Sequence, residues 1–253
     1  MRVGLDIWQH FQVGDLSGSV RGKRNPIWWQ TTVASAGNLT SAVYRIFGKP
    51  FSEEGKKLFG VPFAQFLKLN SEFRYHYRID KNQMIASRIA GGVIWSYGNA
   101  TTAPYTEQFY IGGANSVRAF SARSIGPGGY PPETDRKYTY INHVGDIRIE
   151  ANIEYRFRMI ADLHGAVFLD AGNVWLMRKD ENRPNGEFTL KNFPKQIALG
   201  TGFGLRYDLD FLVFRLDLGI GLHDPYDTGK SGYYNIPKFK DSMALHFAIG
   251  YPF

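Results

Sequence analysis

The chain has no cysteine in its 253 residues, which excludes both a disulfide framework and a thiolate-ligated metal. It has no long apolar run either, and its mean hydropathy is -0.29. A transmembrane helix is therefore excluded, since one needs about 20 apolar residues in succession. A membrane β-barrel is not excluded, because only every second residue of its strands faces lipid. The six histidines are scattered and form no close pair of the kind that holds zinc. Asp162 and His164 could be imagined as two members of a triad, but no serine sits in a nucleophile elbow. The string Gly200-Thr201-Gly202-Phe203-Gly204 continues a strand-like alternation into Leu205 and Tyr207, whereas a nucleotide fingerprint needs a helix to open there. No catalytic residue, metal site or cofactor is expected. The apolar core of a signal peptide is also missing after Met1, so export information is expected upstream. The sequons at Asn38 and Asn99 would mean little if the source is bacterial.

What the sequence does contain is aromatic side chains, 15% of the total, and a net charge of +7. Aromatic girdles at two membrane boundaries would account for the first. The charge could suggest nucleic acid, but a polar lumen or anionic headgroups account for it better, and no nucleic-acid partner is expected. Alternation dominates the chain. Val3, Leu5 and Ile7 alternate with polar residues, and 27–35 is rich in aromatic and β-branched residues. From Phe63 onward, Leu67, Leu69, Phe73, Tyr75, Tyr77 and Ile79 share one face, and Asp80-Lys81-Asn82 turns the chain back into a strand over 83–97. Five more strands follow, at about 144–159, 161–176, 196–209, 211–222 and 243–253. Several run well past the five or six residues typical of soluble sheets, as tilted membrane strands do. One helix interrupts them: Asn38 is a candidate cap, and Leu39, Ala42, Val43, Ile46 and Phe47 follow helical spacing until Gly48 and Pro50. An amphipathic connection of this kind suits a membrane surface.

The segment from Phe109 to Pro127 breaks the alternation. Gly112 and Gly113 permit a sharp turn, and Asn115 and Ser116 can fix it through local hydrogen bonds. Arg118 follows between Val117 and Phe120, in a weakly charged stretch where a cation is costly without carboxylates. Long ordered loops are usually functional, and this one is expected to fold inward as a plug.

Three features together carry a resemblance. They are Gly112-Gly113-x-x-Ser116-Val117-Arg118-x-Phe120, the later Phe168-Leu169-Asp170-Ala171-Gly172-Asn173-Val174-Trp175, and a terminal strand ending in Phe253. The chain resembles the C-terminal part of the BamA/TamA superfamily (the bacterial surface antigen family) of outer-membrane assembly and translocation barrels. Ala119 departs from the glycine common in that loop motif, which suggests a subfamily such as the TamA-like lipoproteins of the Bacteroidetes type. The resemblance implies an all-β fold, an antiparallel transmembrane β-barrel of which about nine strands of sixteen are present. Residues 1–253 would then be one partial barrel domain, with the N-terminal strands and periplasmic repeat domains absent. The odd strand count points the same way.

The resemblance further implies that Arg118 enters the lumen and meets Glu154 and Asp170, with Phe168 beside them. Gly112, Gly113, Ser116 and Phe120 would form the loop turn. Strand parity agrees, since Glu154 lies on the polar face of its strand and Phe168 and Asp170 oppose Val167 and Leu169. Phe247, Gly250, Tyr251, Pro252 and Phe253 would form a C-terminal barrel signal and a weak seam, because proline cannot donate to the ladder and glycine packs nothing. The implied activity is insertion or translocation of client outer-membrane proteins, without chemical catalysis. Outer-membrane lipids and periplasmic or inner-membrane assembly proteins would be partners. A passive porin-like channel shares the alternation but has no need of the Arg118 set, and a soluble β-protein is disfavoured by strand length.

Overall fold

A computed structural model describes residues 9–15, 25–51, 54–131, 143–209 and 211–253. The alternation of Val3, Leu5 and Ile7 lies outside the described residues. Eleven strands and one α-helix follow in chain order among the described residues: β1 (Gln9–Asp15), β2 (Ile27–Ala36), α1 (Asn38–Ile46), β3 (Lys57–Leu58), β4 (Val61–Pro62), β5 (Phe66–Arg78), β6 (Gln83–Ser96), β7 (Ile147–Ile160), β8 (Leu163–Trp175), β9 (Ala198–Asp208), β10 (Val213–His223) and β11 (Met243–Ile249). Nine of the strands make one sheet in the order β1-β2-β5-β6-β7-β8-β9-β10-β11, and β3 pairs only with β4. Every pairing is antiparallel. The sheet is open, with β1 and β11 as its edges. No helix among the described residues is long and apolar enough to cross a membrane.

The two faces of this sheet invert the usual rule. On β7, Glu150, Asn152, Glu154 and Arg156 are buried, while Ile153 and Tyr155 between them are exposed. Leu67, Leu69, Phe73, Ile89, Val167, Leu169 and Phe203 extend the exposed apolar face across the neighbouring strands. Water would penalise such a surface; lipid would not. Side chains alternate strictly along a strand, so one buried carboxylate on β7 commits its whole parity to the interior.

Connections are asymmetric. At one end the turns are tight: Asp80 accepts the Asn82 N–H at 2.6 Å, and Leu209 N–H reaches the Leu212 carbonyl at 2.9 Å. At the other end lie the long connections, including α1 and the segment between β6 and β7. The sequence places Asn38 as the cap of α1, but Gly37 takes that position with φ 71° and no side-chain cap bond forms. Asn38 instead donates to Ser35 Oγ and accepts the Tyr97 hydroxyl at 2.8 Å, which ties the helix to the sheet end. The last strand also stops early, at Ile249 rather than Phe253.

The apolar core is the contact between the β6–β7 connection and the inner face of the sheet. Ile111, Val117 and Ile125 of the connection pack with Phe66, Ile94, Val174 and Ala198 of the strands. The segment that leaves the sheet thus returns to fill it.

Candidate functional site

The connection enters and leaves the sheet through a bridge between Phe109 and Gly145, whose backbone groups exchange two hydrogen bonds of 2.9 Å. Beyond it, Gly112 and Gly113 adopt φ of 94° and 90°, a region that an L side chain enters only with strain. A Cβ on Gly112 would also overlap the Ser121 carbonyl. Ser116 Oγ accepts the Gly112 N–H at 3.1 Å, and Gly113 N–H bonds the Phe120 carbonyl at 2.8 Å. These bonds close a tight loop whose tip presents Arg118.

Arg118 is fully buried. Its Nε and Nη2 donate to the two oxygens of Asp170 at 2.8 and 2.9 Å, and its backbone N–H donates to the same carboxylate at 3.0 Å. Nη1 donates to Glu154 Oε2. The guanidinium carbon lies 3.6 Å from the centre of the Phe168 ring, so the cation stacks on an aromatic face as well. Burial alone would lower the pKa of this guanidinium, but the hydrogen bonds it donates to Asp170 and the charges of Asp170 and Glu154 outweigh that and hold the group firmly protonated. Arg118, Glu154, Phe168 and Asp170 thus occupy one place. Asp170 also takes the Asn152 side-chain N–H at 2.9 Å, which leaves its lone pairs fully used.

Sequence reasoning missed how far this network extends. Glu154 accepts from Arg156 Nε at 2.7 Å and from Arg206 Nη2 at 3.1 Å. Asp217 contacts Arg206 at 2.6 Å and Arg215 at 3.1 Å, in ion pairs whose angles are poor for hydrogen bonding. Arg215 Nη2 donates to the Ala114 carbonyl at 2.9 Å and to Asn115 Oδ1 at 2.6 Å, and Arg88 donates to the Asn115 carbonyl at 3.1 Å. The missed signal was parity: Arg206 on β9, and Arg215 and Asp217 on β10, occupy the same inward positions as the small residues around them. Buried ions cost several kcal/mol each to desolvate, so such a set persists only because the members compensate one another.

Four glycines make the space. A Cβ at Gly219 would overlap the Arg118 carbonyl, one at Gly200 the Ala119 methyl, one at Gly202 the Phe168 ring, and one at Gly204 the Arg206–Asp217 pair. The Gly-rich string on β9 is therefore a mould for the loop tip, and the methyl of Ala119 has its place opposite Gly200. His246 on β11 bonds the Arg118 carbonyl through Nε2 at 2.9 Å; since a carbonyl only accepts, that nitrogen carries the proton. Farther along β8, Asn173 Nδ2 donates to the Gly128 carbonyl at 2.8 Å and Trp175 Nε1 to Gln196 Oε1 at 2.9 Å. Both faces of that strand thus hold the loop: the inward Phe168 and Asp170 take its tip, and Asn173, of the opposite parity, takes its return.

The C-terminal residues do not stay on one face. Phe247 is exposed on the outer side, where it stacks with Phe214 at 6.1 Å between centres. Gly250 donates to the Val213 carbonyl at 2.8 Å but takes φ 84°, which ends the strand and turns the chain inward. Tyr251 contacts Asp208 at 3.3 Å, and the Arg156 guanidinium lies 4.5 Å from its ring centre. Pro252 and Phe253 are buried. The Phe253 ring lies 5.5 Å from Arg88 and 5.6 Å from Arg156, and Arg156 reaches its carbonyl at 3.4 Å. The single alternating face expected for the whole terminal strand therefore ends at Ile249. Among the described residues, no cluster of His, Asp and Glu is placed to hold a metal ion.

Three comparisons bear on this arrangement. The Omp85 superfamily domain matches residues 57–253. The outer membrane protein assembly factor BamA of Nitratidesulfovibrio vulgaris is 28% identical over 204 residues, which cover 79% of this chain and 22% of that protein. Among solved structures, BamA from Haemophilus ducreyi lacking POTRA domains 1–3 superposes with a TM-score of 0.56 at 14% identity, over 94% of this chain and 40% of that one. The chain thus spans about a fifth of its curated relative, and the likeness to the solved barrel is one of fold. With a family match that begins at the small β3–β4 hairpin and runs through the inserted loop to the last residue, this chain belongs to the Omp85 superfamily.

Proposed function

We propose that this chain is barrel wall in an outer-membrane protein that inserts or translocates other outer-membrane proteins, with β11 as the strand at which clients pair. Family membership supports the setting, and one observation carries the mechanism. β11 spans 7 residues against the 11 of β10, its only partner among the described strands, and the chain abandons the ladder at Gly250. Wherever the strand that closes the barrel separates from β11, the bared backbone groups would cost several kcal/mol each in lipid, so an incoming strand has a strong reason to add there. The Arg118 cluster acts as the fixed support: it pins the loop to β7 and β8, and His246 connects the same loop to β11. No step of this activity needs bond chemistry; the work is done by pairing and burial.

The test is site-specific photocrosslinking in the full-length protein within membranes. A photoreactive residue at Leu245, which is exposed on β11, should form adducts with outer-membrane proteins caught during insertion. The same group at Leu69, on the opposite part of the sheet, should not. Equal client adducts at both positions, or none at Leu245 while clients are inserted at the normal rate, would refute the role given to β11.

A further inference from the structure

Helix α1 is amphipathic in the wrong sense for a helix packed on a protein. Its apolar positions Leu39, Val43, Ile46 and Phe47 are exposed, Ile46 and Phe47 to about 80% (81% and 80%). Its buried position is Ser41, which accepts from Lys56 Nζ at 3.0 Å. The polar side is thus fastened to the protein by Lys56 and Asn38, and the apolar side is turned outward. The turn of the adjacent β3–β4 hairpin adds Phe59, 87% exposed. Burying such a face is worth about 25 cal/mol per Å², so something apolar is its natural cover.

Position and charge identify the cover. β2 ends at Ala36, paired with the first residue of β5, and α1 begins two residues on. The exposed outer row at this end contains Leu67 and Trp95, which pair directly, and the exposed row at the other end contains Tyr77. From Leu67 to Tyr77 the strand covers about 23 Å of the membrane normal at ~3.3 Å per residue and ~45° tilt, close to the height of a barrel's apolar band. The helix therefore lies at the boundary where that band ends. It carries no acidic residue, and three cations on or beside it, Arg45, Lys49 and Lys57, are exposed. Exposed apolar side chains with cations close by, at the depth of the headgroups, match a bilayer surface with anionic phosphates.

We infer that α1 and the β3–β4 turn form a lipid-anchoring platform: Leu39, Val43, Ile46, Phe47 and Phe59 enter the acyl boundary, and Arg45, Lys49 and Lys57 bind anionic lipid phosphates. The platform continues the outer face of the sheet and goes beyond client handling. It would hold the strand ends on this side at a fixed depth.

The experiment uses the absence of cysteine in this chain. Ile46→Cys, Phe47→Cys and Phe59→Cys, each carrying an environment-sensitive fluorophore, are measured in the full-length protein with any cysteine outside these 253 residues replaced. The vesicles are phosphatidylcholine, with or without phosphatidylglycerol. Leu69→Cys reports the outer sheet face and Glu181→Cys an exposed loop. The three platform labels should shift to the blue towards the Leu69 value and be quenched by brominated lipid. The combined change Arg45→Gln, Lys49→Gln and Lys57→Gln should abolish the extra shift that phosphatidylglycerol brings. Platform labels as aqueous as Glu181, while Leu69 is blue-shifted, would overturn the platform alone. Labels that are shielded but insensitive to brominated lipid would overturn it in favour of a protein cover. An aqueous Leu69 as well would overturn the lipid-facing reading of the sheet together with the platform. An unchanged lipid dependence in the triple variant would remove the phosphate contacts.

Discussion

Arg118→Lys keeps the charge and removes the fork, so it isolates what geometry contributes. Three side-chain N–H groups of Arg118 reach carboxylates: two on Asp170, at 2.8 and 2.9 Å, and one on Glu154. Lysine is a point charge on a flexible stem and can satisfy one carboxylate well, not a bidentate pair and a second acid together. Each charge-assisted bond is worth about 1.5–3 kcal/mol, and the loss of two is partly offset by the retained charge. A net loss of about 2–4 kcal/mol in the docked loop follows, which at 1.4 kcal/mol per decade is a roughly 30- to 700-fold rise in its opening equilibrium. The backbone amide of residue 118, bonded to the Asp170 carboxylate at 3.0 Å, reports this opening directly. Hydrogen exchange at that amide in the membrane-embedded protein should accelerate by this factor, while amides in the middle of β7 stay protected. Arg118→Ala should open the loop at least as much, because it leaves Asp170 and Glu154 facing each other without their cation. Exchange at the residue 118 amide unchanged in Arg118→Lys would refute the fork, and a lysine variant worse than alanine would refute the reasoning altogether.

Asp170→Asn should release the loop to a similar extent, and combined with Arg118→Ala it should cost less than the sum of the two; strict additivity in a double-mutant cycle would show that they do not act as a unit. Gly219→Val alters no charge, yet its side chain would meet the Arg118 carbonyl; it should destabilise the docked loop by about 1–3 kcal/mol, read as a lower unfolding temperature, and a variant as stable as the parent would mean that β10 does not mould the loop tip.

The strands were legible because lipid on one side and a polar lumen on the other impose a period of two over long stretches, as on β7. The meeting of Arg118 with Glu154 and Asp170 followed from the resemblance, and parity agreed with it. Arg206, Arg215 and Asp217 obey the same parity, but nothing local distinguishes a buried ion from a solvated one on a polar face. The direction of Phe253 was hidden for another reason. Alternation predicts a face only while the strand lasts, and the positive φ of Gly250 ends it. Asn38 shows that a residue suited to capping can be drawn instead to a partner far along the chain, here Tyr97.

The receptor for the loop tip is assembled from strands that come long after it. Arg118 stands in the middle of the chain, but its carbonyl meets Gly219 on β10 and His246 on β11, the latter 128 residues downstream. Contacts of such separation form late, since the intervening chain must be ordered before they reward its loss of freedom. Docking of Arg118 therefore requires the finished wall: a one-residue slip of β10 would put Leu218 or Ile220 where Gly219 stands against the Arg118 carbonyl, and leave the loop no room. The same contacts that fix the plug also certify that the last strands have arrived.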